Sequence, residues 1–160
     1  MKNILLATDG SPSAEKATDV AIELAGALDA TLRIVSVWHF PTYDYGYAPI
    51  VYVPELGEAQ RDGAEKAVAK AAARAKAAGV HATGGVSEGR AAEEICDLAD
   101  AETPEMIVLG AHGWGGVKRV LFGSVSTAVL HHAVCPVLVV RGDVDQGDRE
   151  VTGAAVQSAH

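Results

Sequence analysis

Met106-Ile107-Val108-Leu109-Gly110-Ala111-His112-Gly113 is the stretch on which the fold turns. Its first four residues form a bare apolar run bounded by Pro104 and Gly110, the pattern of a strand buried on both faces. Glycine returns at 113, 115 and 116, and helical spacing resumes over Ser124 to Ala133. A buried strand, a glycine-rich loop and a helix in that order are one unit of an α/β protein.

The same alternation extends outward in both directions. Ile4-Leu5-Leu6-Ala7 is a second apolar run, ended by Thr8-Asp9-Gly10. Ser11 and Pro12 then supply an N-cap and a first-turn proline, and Ala14, Ala17, Ala21, Leu24, Ala25 and Leu28 recur at helical spacing up to Asp29. Leu32 to Val37 reads as a strand, Glu55 to Ala78 as a helix stopped by Gly79, and Arg90 to Ala101 as a helix. His81 to Val86 is a weaker strand, diluted by Gly84 and Gly85, and Pro136 to Val140 is the last. Five strands alternating with four helices predict an α/β, open, doubly wound parallel sheet with helices on both faces.

A chain of 160 residues with an apolar share of 49% can bury one core, so residues 1–141 are expected to form one domain. Residues 142–160 carry few large apolar side chains and read as a flexible polar tail. Phe40, Tyr43, Tyr45, Tyr47 and Tyr52 gather between His39 and Pro54 in a chain that is only 5% aromatic. That segment reads equally as a lid, a partner surface, or a loop packing its own rings. Apolar blocks such as Val134 to Val140 fall far short of the roughly 18 residues that cross a bilayer, so no membrane span is expected. The opening residues lack a signal peptide's apolar run, which predicts a cytoplasmic protein. Cys96 and Cys135 fit no CxxC or metal spacing and read as two buried reduced thiols. A formal net charge of -8 argues against nucleic acid as a partner.

In such a sheet the ligand crevice lies beyond the carboxyl ends of the strands. Three loops leave such ends: Thr8-Asp9-Gly10, Trp38 onward, and Gly110 to Gly116. The glycines let backbone amides approach a ligand, and Gly123-Ser124-Val125-Ser126 opens a helix whose unpaired amides suit an anion, with Lys118 and Arg119 available nearby. Taken singly, glycines also end strands, and Ser124 also serves as a simple N-cap. His131, His132 and Cys135 match no zinc pattern, and Asp143, Asp145 and Asp148 lack a calcium loop's glycine.

Gly110-Ala111-His112-Gly113, nine residues, then Gly123-Ser124 matches G-x2-G-x9-G-[S/T]. With Ile4 to Ser11 at one end and Cys135 to Arg141 at the other, the chain resembles the ATP-binding universal stress proteins over residues 1–141. The resemblance implies an adenine nucleotide alpha hydrolase-like sheet of order 3-2-1-4-5. It places ATP among Ala7, Thr8, Asp9, Val37, Leu109, Gly110, His112, Gly113, Gly123, Ser124, Val125 and Ser126. Within that set it puts Asp9 near the adenosine, the Val37 backbone on the adenine edge, Gly110 and Gly113 along ribose and phosphates, and Gly123, Ser124 and Ser126 on phosphates. It further implies Mg2+ among the phosphates and a homodimer paired through Val137 to Val140. The implied function is a stress-response binding and signalling module. The alternative is a slow Mg-dependent ATPase or an autophosphorylating protein. Asp9 also reads as a plain turn residue. Trp114 stands where the family usually carries a small or basic residue. It is free to cover the triphosphate, pack on the aromatic loop, or serve a dimer contact. Ala7 also replaces the proline of some members.

Overall fold

The computed structural model describes residues 2–39, 54–114 and 122–142. The aromatic segment from Phe40 to Tyr52, Gly115, Gly116, Lys118, Arg119, the acidic Asp143, Asp145 and Asp148, and the rest of the tail lie outside those residues.

Strand β1 (Asn3–Ala7) shows why the chain builds a sheet with two covered faces. Ile4 and Leu6 enter one core cluster while Leu5 and Ala7 enter another, as the alternation of side chains along a strand requires. Helix α1 (Pro12–Leu28) follows, then β2 (Thr31–Trp38), α2 (Pro54–Ala77), β3 (Ala82–Glu88), α3 (Ala91–Glu102), β4 (Met106–Gly110), α4 (Ser124–His132) and β5 (Val137–Val140). The strands pair in parallel in the order β3-β2-β1-β4-β5, the expected order. Ala17, Ala21, Ile22 and Ala25 of α1 and Ala71 and Ala75 of α2 cover the Ile4/Leu6 face. Ile95, Cys96 and Ala99 of α3 and Val129 of α4 cover the other.

Local chemistry sets the limits of these elements. Ser11 caps α1, its Oγ accepting from the Ala14 amide, with Pro12 in the first turn. Asp29 and Thr103 end α1 and α3 in the left-handed conformation, roles that glycine fills more often. Glu15 of α1 meets Arg74 at 2.7 Å and Lys70 at 3.1 Å on α2, and Asp19 pairs with the same arginine. Glycine at 84, which weakens β3 by propensity, has a tertiary cause: a Cβ there would lie 2.7 Å from Val68 of α2 and 3.2 Å from Ile34. Cys96 is buried as expected, but Cys135 is only half-buried because it precedes the edge strand β5. Among the described residues no helix is long and apolar enough to cross a membrane.

Candidate functional site

The strand order reverses between β1 and β4. The loops that follow them diverge to opposite faces and leave a crevice at the carboxyl end of the sheet. A cavity of about 580 Å³ occupies it, within the range typical of small-molecule sites. The structure brings all twelve sequence-derived residues onto its lining: Ala7, Thr8, Asp9, Val37, Leu109, Gly110, His112, Gly113, Gly123, Ser124, Val125 and Ser126.

Others joined them that sequence reasoning missed. Val35, Ala91 and Ile95 extend the apolar wall, and His39, Gln60 and Phe122 stand at its edges. The helical periodicity of α3 was visible, but nothing local tells which of its residues reaches the end of a distant strand.

The polar wall is the start of α4. Gly123 occupies the N-cap position and no side chain caps the helix, so Ser124 is the first helical residue, not the cap. The amides of the first turn have no intrahelical acceptor, and the positive end of the helix dipole adds to their pull on an anion. Gly123 N–H donates to the Ala111 carbonyl at 2.7 Å. The Ser126 hydroxyl is buried and lies 3.0 Å from both the Ala111 and Gly123 carbonyls. Ser126 therefore uses its side chain to tie the β4 loop to α4, which leaves its main-chain amide as its anion-facing group. Among the described residues the lining carries no lysine or arginine, and Asp9 is its one carboxylate.

Asp9 fills the turn role with one carboxylate oxygen and leaves the other on the cavity side. Its Oδ1 accepts from the Ser11 amide at 2.9 Å, the turn role, while Oδ2 faces Gly113, where an added Cβ would lie 2.7 Å away. Glycine at 110, besides lining the cavity, has a packing cause. A Cβ there would meet the Ala14 nitrogen and the Ser13 carbonyl carbon at 2.8 Å, so the close approach is to α1. Trp114 turns away from this cavity. Its Nε1 donates to the Asp9 carbonyl at 2.9 Å, and its ring lines a neighbouring cavity of about 450 Å³ with Trp38 and Lys66. Among the described residues no His, Cys, Asp and Glu cluster could hold a metal ion; His131 and His132 are exposed at the end of α4.

A family model for the universal stress protein family matches residues 1–141. The chain belongs to that family. Universal stress protein YxiE of Bacillus subtilis is 35% identical over 145 residues, covering 86% of this chain and 97% of that protein. A universal stress protein of Thermus aquaticus is 38% identical over 140 residues, 88% of this chain and 98% of its own. Among solved structures, universal stress protein UspA of Lactobacillus plantarum superposes with a TM-score of 0.76 at 28% identity, covering 88% of this chain and 97% of that one. A universal stress protein in complex with cAMP gives 0.67 at 27%, covering 89% and 98%. In this universal stress protein the crevice between β1 and β4 thus lies within the matched region.

Proposed function

We propose that this universal stress protein binds an adenine nucleotide, ATP, in the crevice between β1 and β4 and acts as a stress-response binding and signalling module. The observation that carries the reading is the start of α4. Ser124, Val125 and Ser126 line the cavity at a helix N-terminus that no side chain caps. The same cavity is also lined by the apolar Ala7, Val35, Val37, Ala91, Ile95 and Leu109. A flat apolar ring joined to a polyanion is the ligand chemistry that satisfies both walls at once. The relative crystallised with cAMP supports the adenine part of the assignment.

Phosphates would lie on the amides of Ser124 to Ser126, and Asp9 Oδ2 would accept a hydroxyl or amino proton of the ligand. Mg2+ fits as an ion carried by the phosphates themselves, since Asp9 is the single carboxylate on the described lining. Slow hydrolysis at that ion is the alternative role. The partner surface of the module is the sheet edge: β5 is the last strand, its Leu138 is exposed, and so are Leu130 of α4 and Val134 shortly before the strand. Pairing of Val137–Val140 across a twofold axis would bury them in a homodimer.

The test is to purify the protein without added nucleotide, release bound small molecules and identify them by mass spectrometry. Gly113→Ala and Ser124→Ala variants are handled identically. Adenine nucleotide recovered from the parent and reduced in the variants supports the reading. No nucleotide, even after incubation with ATP and Mg2+, refutes it.

A further inference from the structure

Two loops form the mouth of the crevice, Thr8 to Ser11 after β1 and Ala111 to Trp114 after β4. Two hydrogen bonds hold the second loop at its base: the Ser11 hydroxyl of the first loop donates to the His112 carbonyl at 3.3 Å, and the His112 amide donates to Oγ of Ser13 in the first turn of α1 at 3.5 Å. The third is the shortest, Trp114 Nε1 to the Asp9 carbonyl at 2.9 Å. Trp114 is 73% exposed, so burial of its ring does not explain its place. Its ring lies over Gly10, where an added Cβ would sit 4.0 Å from Cζ2.

Asp9 is thereby fixed on every side but one. Strand pairing holds the chain just before it, through Thr8 N–H to the Val35 carbonyl at 2.9 Å. The Ser11 amide holds Oδ1, and Trp114 holds the main-chain carbonyl. Oδ2 is left facing Gly113, the neighbour of Trp114 in the chain. We propose that Trp114 is a positioning residue: by binding the Asp9 carbonyl it sets the spacing of the two loops and aims the Asp9 carboxylate into the crevice. The proposal rests on the nucleotide reading of that crevice. It gives the tryptophan a part in affinity without contact to the ligand.

The test is a double-mutant cycle by isothermal titration of ATP into the wild type, Trp114→Phe, Asp9→Ala and the double variant. Phenylalanine keeps a ring over Gly10 and removes only the donor. One net hydrogen bond corresponds to a loss of about three- to tenfold in affinity for Trp114→Phe. No further loss is expected when Asp9 is already alanine. Thermal melts accompany the titrations, because a merely structural tryptophan would lower the melting temperature and weaken binding equally in both backgrounds. Equal loss in both backgrounds, or none in either, overturns the proposal. A wild-type chain that binds no adenine nucleotide overturns the reading of the crevice itself, and the positioning role falls with it.

Discussion

A methyl group added at Gly110 would sit 2.8 Å from the Ala14 nitrogen and the Ser13 carbonyl carbon, both backbone atoms of the first turn of α1. One added at Gly113 would sit 2.7 Å from Asp9 Oδ2, the tip of an exposed side chain. Neither glycine has a positive φ, so the two substitutions differ in sterics alone. Overpacking against fixed structure costs about 1–3 kcal/mol, and stiffening the unfolded chain returns about 0.4–1 kcal/mol. For Gly110→Ala the net loss is about 1–2 kcal/mol, a fall in melting temperature of about 2–8 °C for a domain of this size. For Gly113→Ala the carboxylate swings aside, at the cost of one bond to the Ser11 amide, about 0.5–1.5 kcal/mol. The stiffening term offsets much of that, so the melting temperature should stay within about 2 °C of wild type. Affinity is where Gly113→Ala should suffer, because loss of a charge-assisted contact from Asp9 weakens nucleotide binding about ten- to hundredfold. Circular dichroism melts and titration calorimetry on the two variants decide the matter. Equal melting temperatures, or a Gly113→Ala protein less stable than Gly110→Ala, would refute the steric argument.

Ser126→Ala removes the hydroxyl that joins the Ala111 and Gly123 carbonyls. A loss of about 0.5–1.5 kcal/mol should appear as a lower urea midpoint with an unchanged slope. Leu138→Asp places a charge on the exposed apolar side chain of β5, and if the proposed pairing through Val137–Val140 holds, light scattering should show a dimer for the wild type and a monomer for the variant. Burial raises both thiols above their ordinary 9.0, with Asp100 and Asp97 adding to the effect at Cys96. The folded chain then keeps thiol protons that the unfolded chain has released. Stability should therefore hold below the ordinary thiol value and fall as pH rises past it, and Cys96→Ala should flatten the fall in urea titrations.

Much of the fold was legible because the deciding signals are local. Ser11-Pro12 starts α1 and Asp29 ends it, within the reach of the residues themselves. Strand order needed the resemblance as well as the alternation, since alternation alone does not say which strand lies beside which. All twelve candidate residues came to line one cavity because strand ends and a helix start are positions that a sequence marks. What stayed hidden depends on distant partners. Gly84 looks like a weakness until Val68 is seen against it, and nothing local tells that the place of a side chain at Gly110 is taken by α1. Ser124 resembles a cap until Gly123 takes the position. Gln60 and His39 belong to no motif and reach the cavity only through tertiary placement.

The crevice hangs on β1, the middle strand of the sheet, and its neighbour β4, while β3 and β5 each present a free edge among the described residues. Opening of a sheet proceeds from its rims, so amide exchange should be slowest at Leu5, Leu6, Ile107 and Val108 and faster by decades along β3 and β5. The proposed ligand seat would thus be built on the least pliant part of the described sheet, and the proposed assembly surface on one of the most pliant. Sequence drift can rewrite the rim, and with it the choice of companion, while the seat keeps its shape.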